Sequence, residues 1–269
     1  MKQRLLVAAV GVPLLLVVLL ALPPVATTAL VCAIAAIAAY ELIRTACKNP
    51  HPAAYVLTVV CAVVTVLSAQ RTHIAWTYLP AALLIVLSMV AVLVFGTEKA
   101  MPFGDVAICV IGGTVLPRMY ACIAILREIS MTLVLMPFII AFVGDTFSML
   151  GGITFGGKKL APNVSPKKTW AGFFAGPVGS GLGMVVYGVI AKAVWSLDLP
   201  LWYLAVCGVV CNVIGQLGDL TASLIKREVG VKDYSRMFLE HGGVLDRFDS
   251  ILFISPVLYG LIALLGVIV

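Results

Sequence analysis

Between Ser223 and Asp249 the chain reads SLIKREVGVKDYSRMFLEHGGVLDRFD. These 27 residues hold five cationic side chains (Lys226, Arg227, Lys232, Arg236, Arg247), five acids, His241 and the pair Gly242-Gly243. Cations grip phosphate oxygens through charge-assisted hydrogen bonds, and carboxylates supply oxygen ligands to hard divalent metals. A chain that is otherwise almost free of charge, yet carries both here, is equipped for polar chemistry on a phosphate-bearing substrate.

Other acids point the same way. Asp145 lies inside an apolar run, about two helical turns from its end, where a carboxylate costs at least ~2.5 kcal/mol and marks a functional position. The bland alternative is a packing hydrogen bond to a Ser or Thr. Asp219 falls at the expected end of the eighth apolar run. A helix C-terminus favours cations, so something positive should stand beside it. Asp246 and Asp249 open the last run three residues apart and share a helix face; part of that signal is N-terminal capping. Carboxylates gathered at one depth repel unless a cation bridges them. Magnesium suits such a site, as it takes few protein oxygens and keeps positions open for substrate phosphates.

A second basic cluster, Lys158, Lys159, Lys167 and Lys168, lies in the other long connection. Its string GITFGGKK has the glycine and lysine spacing of a phosphate-binding loop, but Lys159 replaces the metal-binding hydroxyl and no strand precedes it, so that reading is rejected. Gly172, Gly176, Gly179 and Gly183, spaced by four and three, are expected to let one helix pack closely on its neighbours. Lys226 and Arg227 have a plain alternative as charges that set membrane orientation. Arg118, after Pro117 in mid-run, is expected to face the interior.

The elements that must position these residues are membrane helices. The 269 residues are 62% hydrophobic and 11% charged, against roughly 25% charged in soluble domains. Apolar runs between breakers give about nine spans: 5–22, 25–46, 53–69, 74–95, 105–126, 131–151, 169–195, 201–222 and 250–269. This predicts an all-α, multi-pass integral membrane protein, a polytopic bundle with two longer loops, 152–168 and 223–249. The first run exceeds the usual ~7–15-residue signal core and meets Pro23-Pro24, so an uncleaved span is expected. Of 18 Lys and Arg, 14 fall on the side of the N-terminus and both long loops, which the positive-inside rule makes cytoplasmic. The net charge of +6 is thereby explained without nucleic acid. Seven scattered cysteines show neither zinc-ligand spacing nor a disulfide framework.

The stretch 223–249 resembles the signature of the phosphatidate cytidylyltransferase (CDP-diacylglycerol synthase) family: S-x-hydrophobic-K-R, then K-D, then H-G-G-hydrophobic-x-D-R-hydrophobic-D. Its anchors are Ser223, Lys226-Arg227, Lys232-Asp233, Ser235, Phe238, His241-Gly242-Gly243, Asp246-Arg247 and Asp249. The likeness extends upstream to Gly218-Asp219, Ser165 to Trp170, and Asp145-Thr146. Leu239 departs from the usual Pro or Gly, and Ala171 and Ala222 from common glutamates. Residues 1–126 match only as apolar spans, and 127–269 are expected to form the catalytic region.

The resemblance implies transfer of a cytidylyl group from CTP to phosphatidic acid at the cytoplasmic face of a bacterial inner membrane, giving CDP-diacylglycerol and pyrophosphate. The expected partners are CTP, phosphatidic acid and membrane lipid, with a homodimer left open. Asp219, Asp246, Lys226 and His241 would be catalytic. Lys167, Lys168, Ser223, Arg227, Lys232, Asp233, Gly242, Gly243 and Arg247 would bind substrate. Asp145, Asp219, Asp246 and Asp249 would hold one or two divalent ions such as Mg2+, with a monovalent ion open as well. Because a phosphate monoester is already largely ionised near neutral pH, no strong general base is needed. The rivals are a CTP-dependent polyprenol or lipid kinase, which would release CDP, and a transporter lined by Asp145 and Arg118.

Overall fold

The computed structural model describes residues 11–69, 78–196, 199–235, 237 and 242–265. His241, Arg236, Phe238, Leu239, Arg71 and the N-terminal Lys2 and Arg4 lie outside the described residues. Among the described residues there are nine helices. They are α1 (Gly11–Ala21), α2 (Pro24–Ala46), α3 (Pro52–Ser68), α4 (Leu79–Leu93), α5 (Phe103–Ile129), α6 (Leu133–Thr154), α7 (Trp170–Trp195), α8 (Leu201–Glu228) and α9 (Leu245–Leu264). The only sheet among them is a hairpin, β1 (Lys159–Ala161) antiparallel to β2 (Ser165–Thr169). Six helices, α2 and α5 to α9, are long and apolar enough to cross a membrane; α1, α3 and α4 are shorter apolar helices. The chain is an all-α integral membrane protein.

Two expected boundaries move. The apolar reading ends the eighth span at Ala222, but α8 continues to Glu228. Its 28 residues extend roughly 42 Å at 1.5 Å per residue, well past a ~30 Å hydrocarbon core, so the last turns carry charge without losing helix. Asp219 is therefore two turns inside the helix, and Lys226 and Arg227 sit on its final turn rather than in a loop. At the other end α9 begins at Leu245, so Asp246 lies in its first turn. A third correction concerns α5. A five-residue π turn over Ile111–Val115 shifts the helical register, and Arg118 emerges exposed rather than interior.

The chain divides into two compact units. The first comprises residues 1–125 and 225–248, the second 126–224 and 249–269. The first unit is built on α1 to α5. Its buried cluster joins Ile43, Ala54, Leu83, Leu87, Met101, Val106 and Cys109. Pro24 and Pro52 stand in the first turns of α2 and α3, where a missing N–H costs nothing. Asp105, 3% exposed in the first turn of α5, accepts from Lys48 N at 3.1 Å and Asn49 N at 2.9 Å, tying the α2–α3 connection to α5.

In the second unit α7 packs on α6 and α8 through the expected glycine seam. A Cβ on Gly176 would lie 2.2 Å from Ser148 Oγ, and one on Gly179 would lie 2.1 Å from Phe147. From α6, Gly144 returns the contact, since its Cβ would fall 1.7 Å from Asn212 Nδ2. Within this seam three buried side chains are linked by hydrogen bonds, while Ser148 Oγ has no partner among the described residues. Ser180 Oγ donates to Ile140 O at 2.8 Å, Asn212 Nδ2 donates to the same carbonyl at 3.3 Å, and Gln216 Nε2 donates to Asn212 Oδ1 at 2.8 Å. Such a network fixes rotation and register between helices that apolar packing alone would leave free to slide.

Candidate active site

Each unit gathers one cluster of the residues singled out from the sequence. In the second unit a cavity of about 480 Å³, within the range of small-molecule sites, opens between α6, the hairpin, α7 and α8. Its polar lining comprises Asp145 and Ser148 from α6, Lys159, Lys167, Lys168 and Thr169 from the hairpin, and Gln216 and Asp219 from α8. Met149, Ile153, Leu160 and Phe173 supply its apolar wall.

The hairpin delivers the lysines because β2 runs straight into α7. Thr169 is the N-cap of α7, its hydroxyl accepting from Gly172 N at 3.1 Å. Lys168, one residue earlier, is thereby aimed back at α8. Its Nζ lies 2.5 Å from Asp219 Oδ2 and donates to Gln216 O at 3.4 Å. The cation expected beside Asp219 is thus Lys168. Asp145 opens onto the same cavity and makes no hydrogen bond or ion pair with any described residue, so the packing alternative does not describe it.

The second cluster belongs to the first unit and is organised by carboxylates. Asp246 Oδ1 accepts from Lys226 Nζ at 2.5 Å; Oδ2 accepts from Tyr234 N at 2.8 Å and Gly243 N at 2.9 Å. Lys226 is 7% exposed, with its ammonium 5.3 Å from the centre of the Tyr234 ring. Glu41, buried near the C-terminal end of α2, accepts from Ser235 Oγ, Val244 N and Leu245 N. Gly242 and Gly243, expected to bind substrate, face carboxylates in this structure. The anions they meet here are the protein's own: a Cβ on Gly242 (φ +80°) would lie 2.7 Å from Asp246 Oδ2, and one on Gly243 would lie 2.4 Å from Glu41 Oε1.

Glu41 was missed in the sequence, although an acid within an apolar run is the same signal that picked out Asp145. The remaining residues lie on and around the ends of α8 and α9. Ser223 is buried on α8, and Arg227 Nη1 donates to Val231 O at 3.0 Å beyond the helix end. Lys232 and Asp233 are exposed in the following turn, Arg247 is exposed on α9, and the buried Asp249 accepts from Ser250 N at 2.7 Å.

Of the four carboxylates expected to share metal, Asp246 belongs to the first unit and Asp145, Asp219 and Asp249 to the second. Among the described residues no group of three or more His, Cys, Asp or Glu stands where it could hold one ion. Asp145 and Asp219 line the cavity together. Two carboxylates facing one cavity are the oxygen donors that would suit a magnesium ion, although Asp219 is here paired with Lys168.

An all-helical membrane chain with an acid- and lysine-lined cavity has the composition of a site for phosphorylated substrates. The chain matches the cytidylyltransferase family over residues 2–265, and it belongs to that family. It is 39% identical over 140 residues to the phosphatidate cytidylyltransferase of Rickettsia typhi, covering 50% of this chain and 60% of that protein. It is 34% identical over 167 residues to that of Rickettsia felis, covering 59% and 72%, and 38% identical over 132 residues to that of Staphylococcus epidermidis, covering 49% of each. The matches thus span about half to three quarters of the relatives' length.

Proposed function

We propose that this protein transfers the cytidylyl group of CTP to phosphatidic acid. A phosphate oxygen of the lipid attacks the α-phosphorus of CTP, the α–β phosphoanhydride bond breaks, and pyrophosphate leaves with the bonding electrons. The observation that carries the reading is the cavity of the second unit, where Asp145 and Asp219 share one space with Lys159, Lys167 and Lys168. Bringing two polyanions together is the main obstacle to this reaction, and positioning with charge neutralisation is the main remedy. Relatives named phosphatidate cytidylyltransferase supply the choice of substrates.

The lysines bind and orient phosphate groups. Lys226 is held by Asp246 in the first unit, and Lys168, paired with Asp219, is a preformed cation for phosphate oxygens at the cavity of the second. Lys159 and Lys167 add charge at the same cavity. A magnesium ion held by Asp145 and Asp219 would neutralise the triphosphate and stabilise the charge developing on the leaving group. We further propose that the cavity faces the cytoplasm of a bacterial inner membrane, since 14 of 18 Lys and Arg lie on that side of the expected topology.

The test is direct. Purified protein with CTP labelled in the cytidine and phosphatidic acid should yield labelled CDP-lipid and one pyrophosphate per turnover. Release of CDP with a newly phosphorylated lipid would establish the kinase reading instead, and absence of any nucleotide turnover would reject both.

A further inference from the structure

Glu41 is 1% exposed about one and a half turns from the C-terminal end of α2, nearly two hundred residues from the signature it touches. Its Oε1 accepts from Ser235 Oγ at 2.5 Å and Val244 N at 3.1 Å, and its Oε2 accepts from Leu245 N at 2.8 Å. Two of these donors are free amides at the start of α9, which attract negative charge. An acid from another helix thus caps α9 and holds Ser235 with the same carboxylate.

Asp246 grips the same two segments from the other side, through Tyr234 N and Gly243 N. The two carboxylates approach so closely that neither Gly242 nor Gly243 has room for a Cβ: Asp246 Oδ2 excludes it at one and Glu41 Oε1 at the other. Gly242, at φ +80°, and Gly243 thus leave the space that the two acids fill. Asp246 in turn holds Lys226.

We propose that Glu41 is a positioning residue for the transfer reaction, fixing Ser235 and the start of α9 so that Asp246 presents Lys226 in one orientation. This rests on the reading of Asp246 and Lys226 as reaction residues. Without Glu41, Asp246 alone must hold both segments, and the Lys226 ammonium is no longer aimed.

The experiment compares full-length wild type, Glu41→Gln, Asp246→Asn and the double variant in detergent, with CTP and phosphatidic acid. An amide keeps the volume of Glu41 but places a donor against donors. Glu41→Gln should lower kcat about 10- to 100-fold, leaving KM for both substrates within about threefold. The double variant should be no slower than Asp246→Asn alone, because Glu41 acts through Asp246. Ser235→Ala, which removes one of the three donors, should lower kcat less, in the same direction. Faster amide exchange at Val244 and Leu245 in Glu41→Gln would report the loosened cap independently of turnover.

Wild-type kcat in Glu41→Gln, or losses that multiply in the double variant, would overturn the proposal. If Glu41→Gln fails to fold, unchanged kcat in Ser235→Ala overturns it. A wild-type chain that makes no CDP-lipid removes the functional reading itself, a result distinct from an active wild type indifferent to Glu41.

Discussion

Lys168 Nζ stands 2.5 Å from Asp219 Oδ2, joining the end of β2 to a point two turns inside α8. Both partners are partly exposed to the cavity, so the pair is within reach of solutes. The Lys226–Asp246 pair in the first unit repeats the arrangement at the same separation but is almost fully buried. Each acid that the sequence marked as catalytic is thus held by one lysine.

Asp219→Asn should lower the rate of CDP-lipid formation roughly 10³-fold, several kcal/mol of transition-state stabilisation, with the protein eluting normally in detergent. Glu98→Gln, an exposed acid in the α4–α5 connection, should be nearly silent. Equal damage from both would show that charge at the cavity is not what matters.

Chelation should abolish turnover, and magnesium should restore it, because the cavity's acids are both hard oxygen donors. Full activity after dialysis against EDTA would remove the metal role from Asp145 and Asp219.

Gly144→Ala should destabilise the second unit by about 1–3 kcal/mol, since overpacking forces a buried network to shift. Its Cβ would fall 1.7 Å from Asn212 Nδ2 and 2.6 Å from Ser180 Oγ. Gly260→Ala on α9 meets nothing within 4 Å and should leave the thermal midpoint in micelles unchanged.

Lys226→Arg and Arg227→Lys separate charge from shape. The orientation rule counts charge alone, so both exchanges should insert normally. Lys226→Arg should nonetheless cost most of the activity, because the larger guanidinium must be accommodated beside Asp246 in a space where Lys226 is only 7% exposed. Arg227→Lys should raise the KM for CTP or lipid; wild-type kinetics would leave Arg227 a helix-end residue bonded to Val231 O.

Cysteines placed at Asn163 in the hairpin turn and at Lys232 after α8, in a background without the native seven, should react with an impermeant maleimide only when the cytoplasmic side is opened. Both positions are exposed. Labelling from outside intact cells would reverse the proposed orientation.

The sequence by itself determined the all-helical membrane class, most span positions, the glycine seam of α7 and the standing of Asp145 as an acid inside an apolar helix. These follow from hydropathy, from the absence of a side chain, and from the cost of an acid in a helix, all of which act over a few residues. Family membership was equally legible, because its signature is contiguous. Only the tertiary structure named Lys168 as the partner of Asp219, since a contact between a strand end and a helix 51 residues later leaves no local trace. It alone extended α8 past Ala222, where a helix outlasts its apolar stretch. It also assigned Gly242 and Gly243 to two internal carboxylates and brought Glu41 to the start of α9. Which anion a glycine pair makes room for depends on what packs against it, and packing is fixed only when distant helices meet.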